Sequence, residues 1–154
     1  MNTYLKKLIE EKFANPGKAL DSGAGSFNDV TSLKNLGWQA EGIDLQTGTD
    51  LEKPYSSENK PFDLVYSNFV IHKLKNKSIL VETIFHNLKI GGWFLICTFD
   101  QSDPNSSSTL TKTDLKKLCE DQGFRNTSTQ IFDHFDKEEG HNHWHKVLVA
   151  QGQK

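Results

Sequence analysis

Lys18-Ala-Leu-Asp21-Ser-Gly23-Ala-Gly25-Ser26 decides the fold of this chain. A short apolar run ends in an acid, and two closely spaced glycines follow. This is the signature of a buried strand over 18–22 feeding a tight turn, because glycine reaches backbone angles that other residues avoid. Beyond the turn, Phe27, Val30, Leu33 and Leu36 recur at a spacing of three. That spacing predicts a helix over Ser26–Leu36, with Gly37 as its C-cap. Trp38–Asp44 (WQAEGID) reads as a second strand, again ending in an acid. Strand, glycine turn, helix and strand together make a βαβ unit.

The rest of the chain extends the pattern. Upstream, Tyr4, Leu5, Leu8, Ile9 and Phe13 follow a helical period that Pro16-Gly17 stops. Downstream, 47–60 carries Gly48 and Pro54 among polar residues, so any strand there is very short. Phe62–Tyr66 (FDLVY) is a third clear strand, followed by a helical stretch through Val70, Ile71 and Leu74. Ile79, Leu80, Thr83, Ile84 and Leu88 mark a further helix, expected to end at Gly91-Gly92. Trp93–Phe99 (WFLICTF) is continuously apolar, as a central strand covered on both faces should be. After a polar loop at 101–108, Thr111–Gln122 is a helix with Thr111 as N-cap, Asp114 three residues on, and Gly123 at its end. Two late strands, near 124–132 and 144–150, are joined by a polar loop at 136–140 and should pair as an antiparallel hairpin. Strands alternating with helices of about ten residues imply an α/β fold with a mostly parallel sheet.

Size and charge narrow the function. A chain of 154 residues is the size of one domain, expected to run over 1–154 with an N-terminal helix within 1–15 and the hairpin over 124–151. Net charge is −2 and Arg125 is the single arginine, which argues against a nucleic-acid surface. The local basic run Lys73, Lys75, Lys77 reads as a solvated face. Two cysteines, Cys97 and Cys119, make neither a disulfide scaffold nor a CxxC zinc knuckle, and both read as buried or inert thiols. No stretch approaches the roughly 18 apolar residues of a membrane span. Met1–Glu11 has no signal-peptide character, so a cytoplasmic chain is expected.

In open α/β sheets, ligands bind beyond the carboxyl ends of the strands. Asp21, Gly23 and Gly25 lie there, and the helix that follows offers N–H groups to an anion. Asp44, at the end of the second strand, falls 19 residues after Gly25, where an acid can accept hydrogen bonds from both ribose hydroxyls. Together these features indicate a nucleoside-containing cofactor, either a dinucleotide or S-adenosylmethionine. The dinucleotide pattern G-x-G-x-x-G needs a third glycine, and Asn28 stands at that position.

Five ordered stretches then carry a resemblance: Ala19–Gly25, Glu41–Asp44, Phe62–Ser67, Leu88–Leu95 and Leu115–Phe124. They resemble the motif set of class I S-adenosylmethionine-dependent methyltransferases. Within that class, the short chain and His143-Trp-His145 are similar to small tellurite-resistance-like methyltransferase domains. The resemblance implies a Rossmann-like doubly wound sheet of seven strands in order 3-2-1-4-5-7-6, the last strand antiparallel and the third one short. It places Asp21, Gly23 and Gly25 around the methionine moiety, Asp44 on the ribose, Leu45 beside the adenine, and the pair Asp50-Leu51 against the adenine ring. Ser67, Asn68 and Phe69 should face the sulfonium, and His72 matches a frequent histidine after the fourth strand. Two departures stand out. Phe27 occupies a position where the family often has Gly, and only 18 residues separate Asp44 from Asp63, which leaves little room for a third strand and its helix.

A base is needed only if the methyl acceptor must lose a proton, and histidine is the natural choice. His72, His143 and His145 are the candidates. Strand alternation puts His141, His143 and His145 on one face and Trp144 on the other. Their alternatives are an acceptor pocket, a metal site together with His134, or a solvated hairpin edge with Trp144 packed on the sheet; no metal is assigned. The expected function is methyl transfer from S-adenosylmethionine to a small molecule, with S-adenosylhomocysteine as product. The alternatives are a non-catalytic methyltransferase-like module docking a partner through the truncated third-strand region, and a nicotinamide-dependent oxidoreductase. The small chain leads to the expectation of an open site, or of one completed by a second copy of the chain in a homodimer.

Overall fold

A computed structural model describes residues 1–138 and 141–154. Helix α1 (Thr3–Lys12) starts where the Asn2 side chain accepts from the amides of Tyr4 and Leu5. Then come β1 (Lys18–Ser22), α2 (Asn28–Asn35) and β2 (Gln39–Ile43), the βαβ unit read from the glycine stretch. The chain continues through β3 (Phe62–Asn68), α3 (Lys77–Asn87), β4 (Leu88–Phe99), α4 (Lys112–Gln122) and the hairpin β5 (Arg125–Glu138) and β6 (His141–Gln153). The sheet runs β2-β1-β3-β4-β6-β5, with β6 antiparallel to both neighbours and the inner strands parallel. Among the described residues no helix is long and apolar enough to cross a membrane.

Alternation along the inner strands builds two cores. Ala19, Leu64, Leu95, Cys97, Val147 and Val149 point to the face covered by α1 and α2, where Leu5, Leu8, Val30 and Leu33 meet them. Leu20, Val65, Phe94, Ile96, Leu148 and Ala150 point to the face covered by α3 and α4. Burial on both sides explains the unbroken apolar run of WFLICTF. Cys97 and Cys119 are buried within these layers, and burial raises both thiols, Cys119 to about 12. Neither is a nucleophile at neutral pH.

Four sequence expectations are corrected. The short third strand does not form: six strands are present among the described residues, and β2 is the sheet's edge. With Pro54 and Pro61 in so short a connection, the segment crosses the α3 face as a loop held by side chains. Asn87 donates to the Tyr55 carbonyl at 2.9 Å and accepts from the Ser57 amide at 2.8 Å, while the Thr83 hydroxyl accepts from the Tyr55 amide at 3.1 Å. Second, α3 ends at Asn87 rather than at Gly91-Gly92. The chain turns extended at Leu88, and both glycines lie inside β4. Third, the helical stretch after β3 is only one tight turn, Ile71–Lys73. Fourth, the hairpin strands are longer than expected: β5 runs on to Glu138, through the first part of the expected loop at 136–140, whose remainder lies outside the described residues.

Phe27 carries the cost of its departure. It takes a left-handed backbone (φ 59°) at the N-cap of α2, a conformation natural to glycine, without any side-chain cap. Its ring lies against Gly42 of β2, where an added Cβ would sit 2.6 Å from Ala24 Cβ and 2.9 Å from the Phe27 ring. The bulky first turn therefore packs into the α2–β2 seam, and Gly42 makes that possible. Gly42→Ala is expected to destabilise the protein by about 1–3 kcal/mol in urea denaturation, since the glycine loop must move to admit the methyl group.

Candidate active site

The loop after β1 is fixed to the end of β2 by its own backbone. The amides of Gly23 and Ala24 donate to the Ile43 carbonyl at 2.8 and 3.0 Å, and the Gly25 amide donates to Asp44 Oδ2 at 3.0 Å. All three loop amides are therefore already committed within the protein. Gly23 (φ +104°) must be glycine twice over, because a Cβ there would also meet Val70 at 2.3 Å. Gly25 (φ +50°) faces open space.

Asp44 caps the turn Leu45–Thr47, its Oδ1 accepting from the Gln46 amide at 3.0 Å. Each carboxylate oxygen has a second lone pair, so the group can still accept two hydroxyls. Leu45 beside it is 73% exposed. Asp50 is spent locally, accepting from the Glu52 amide, and the Leu51 side chain is buried in the α3/α4 core.

Asp21 is 3% exposed, and its Oδ1 has no hydrogen-bond partner. Burial pushes its pKa up to about 8; the Tyr66 hydroxyl pulls the other way, and the charges of Asp29 and Asp44 add to the rise. Across the site, Ser67 is turned away: its hydroxyl donates to the Ser22 carbonyl at 2.6 Å and pins β3 to β1. Asn68 donates to Asp29 Oδ2 at 2.9 Å and keeps a buried Oδ1 without a partner. Phe69 has a left-handed backbone (φ 58°), strain of the kind that concentrates at functional sites. Sequence reasoning missed Asp29, which also accepts from the Asn2 amide at 2.8 Å and so ties the start of α1 to Asn68. An acid in the first turn of α2 looks like ordinary helix-dipole decoration.

Two of the three candidate histidines meet the Phe99 ring, and the third meets one of those two. Phe99, at the end of β4, has its centroid 4.8 Å from Phe69, 5.1 Å from His72 and 4.7 Å from His145, and His143 lies 4.6 Å beyond His145. His72 Nδ1 is 3.0 Å from the Thr98 hydroxyl. Burial lowers its pKa to about 4, with Lys73 and Lys77 adding to the fall, so it is neutral and weakly basic at pH 7. His145 is 9% exposed, which removes the solvated-edge reading for it. Trp144, expected on the sheet, is 60% exposed and leans on Phe135. The His141 side chain lies outside the described residues. Among the described residues no group of three His, Cys, Asp or Glu side chains could hold a metal ion.

The sequence matches the family model for a methyltransferase domain over residues 1–129. The chain belongs to the class I S-adenosylmethionine-dependent methyltransferase family. An uncharacterised methyltransferase of Staphylococcus carnosus is 27% identical over 146 residues, spanning 83% of this chain and 67% of that protein. A SAM-dependent methyltransferase from Methanosarcina mazei shares the fold with TM-score 0.76 at 16% identity, covering 96% of each chain. The 1,6-didemethyltoxoflavin-N1-methyltransferase of Burkholderia thailandensis, solved with 1,6-didemethyltoxoflavin and S-adenosylhomocysteine, does so with TM-score 0.72 at 16% identity, covering 99% of this chain and 78% of that one.

The family's cofactor fits the residues present. The buried oxygens without partners include those of Asp21, Ser22, Tyr66 and Asn68 at this end of the sheet, Gly25 fronts open space, and Asp44 has acceptor capacity to spare beside an exposed Leu45. Asp21 also dictates a pH dependence. Its raised pKa contributes stability fully present below about pH 4 and lost as the pH rises through about 8. In thermal melts of the unliganded protein, Asp21→Asn is expected to flatten that decline, its advantage over wild type growing from pH 4 to pH 8.

Proposed function

We propose that this methyltransferase acts on a small-molecule acceptor held beyond the ends of β3 and β4. The observation that carries the reading is the ring of Phe69, Phe99, His72, His143 and His145, built at the strand ends next to the cofactor residues. The Burkholderia thailandensis neighbour, whose acceptor is a small molecule, supports the same class.

S-adenosylmethionine, when bound, supplies an electrophilic methyl group on a sulfonium, and the protein contributes alignment and exclusion of water. Asp44 accepts from the ribose hydroxyls, with Leu45 covering the adenine. Asp21 and the Asn68 Oδ1 receive the amino-acid end, where a cationic ammonium favours ionised Asp21. Phe69, held by its amide to the Cys97 carbonyl at 2.8 Å, sets the side of the site from which the acceptor approaches.

The two other readings lose support for physical reasons. A dinucleotide's pyrophosphate would want the loop amides that Ile43 and Asp44 already occupy. A partner-docking module would expose apolar side chains over 48–61, yet among the described residues the exposed large ones are Met1, Leu36, Leu45, Ile90, Ile131 and Trp144. Calorimetry with S-adenosylhomocysteine is expected to show binding in the micromolar range. Asp44→Ala should weaken it at least about tenfold, the scale of a lost charged hydrogen bond. No detectable binding by the wild-type protein would overturn the reading.

A further inference from the structure

His145 differs from the other histidines of the ring in having a buried acid behind it. Asp103, in the loop between β4 and α4, is 3% exposed, and its Oδ2 lies 2.8 Å from His145 Nδ1. The same carboxylate accepts from the backbone amides of Lys146 at 2.9 Å and Asn105 at 2.7 Å. It is therefore held in place by the loop and by β6 before it meets the imidazole. Such a carboxylate accepts a hydrogen bond from Nδ1–H and fixes the tautomer, leaving Nε2 with the lone pair. The imidazole packs against the Phe99 ring at 4.7 Å and meets His143 edge-on at 4.6 Å. Other ionisable groups around it are His134 and Asp136 on β5, His143 on β6, Asp100 in the loop and His72 across Phe99.

We propose that Asp103 and His145 form a proton-accepting dyad for the methyl acceptor, and that the acceptor is a planar aromatic compound bearing an O–H or N–H nucleophile. The inference rests on the methyltransferase reading and goes beyond it in naming the acceptor class and a positioning residue. Flat aromatic ligands suit a site walled by the rings of Phe69, Phe99 and His143. In the reaction, the acceptor's lone pair forms the bond to the methyl carbon. The carbon–sulfur bond breaks with its electron pair kept by sulfur, and the acceptor's proton passes to His145 Nε2 and then to water. Asp103 stays ionised and steadies the imidazolium that forms. His72, neutral and bonded to Thr98, is left as part of the wall.

The test uses nitrogen NMR of the histidine side chains, with phenol and anisole as probes, in the presence and absence of S-adenosylhomocysteine. In the wild type, His145 should carry its proton on Nδ1, and phenol should perturb Nε2 while anisole does not. Phenol should bind about fivefold more tightly than anisole, the scale of one hydrogen bond. Asp103→Asn should abolish the single tautomer and the preference for phenol while S-adenosylhomocysteine affinity stays within about twofold. His145→Phe, which keeps the ring against Phe99, should remove the preference too. A proton on Nε2, equal binding of the two probes, no binding of either, or a preference that survives in Asp103→Asn would each overturn the dyad. Loss of S-adenosylhomocysteine binding by the wild type strikes the methyltransferase reading instead, and the histidine signals register separately from it.

Discussion

The hydrogen bond from the Gly25 amide to Asp44 is the constraint on which the site depends. With the Gly23 and Ala24 amides on the Ile43 carbonyl, it fastens the loop after β1 to the end of β2. The acid can take this role because β1 and β2 pair in parallel register, Ser22 opposite Ile43, so both strands deliver their last residues at the same level. The loop amides then have partners without any ligand, and the glycine turn is shaped before the cofactor arrives. Binding into a turn so prepared costs little ordering entropy.

Most of this was legible in the sequence because it is local. The glycine turn, the paired acids and the capping box of Thr111 and Asp114 each follow from a few neighbouring residues, and the last appears as read, with the Thr111 hydroxyl accepting from the Asp114 amide at 3.0 Å. What stayed hidden depends on contacts far apart in the chain. Asp103 meets His145 across 42 residues, and Asp29 meets Asn68 across 39. No periodicity reports such pairs, and an acid in a polar loop carries no mark of burial. Ser67 shows the opposite case: expected to face the sulfonium, it lies within β3 and its hydroxyl donates to the Ser22 carbonyl.

The missing third strand shows how a sheet edge is finished without a strand. Glu41 on β2 accepts from the Ser57 hydroxyl at 2.6 Å and from the Asn59 amide group at 2.8 Å, so the crossing loop is moored to the edge strand as well as to α3. Such side-chain moorings cover the edge and spare it the exposed ladder that invites pairing with other chains. At the start of the same loop, Leu51 is buried in the core beneath α3 and α4.

The unequal length of the hairpin has a consequence for motion. β6 is flanked on both sides only over Val147–Gln153, where β4 lies against it; from His145 outward its single neighbour is β5. Backbone amides of the inner part should therefore exchange with solvent on the timescale of global unfolding, while those of the outer ribbon exchange through local opening. His145 stands at that boundary, and the Asp103 carboxylate, bound to both its ring and the next amide, works as the rivet that stops the ribbon from peeling inward.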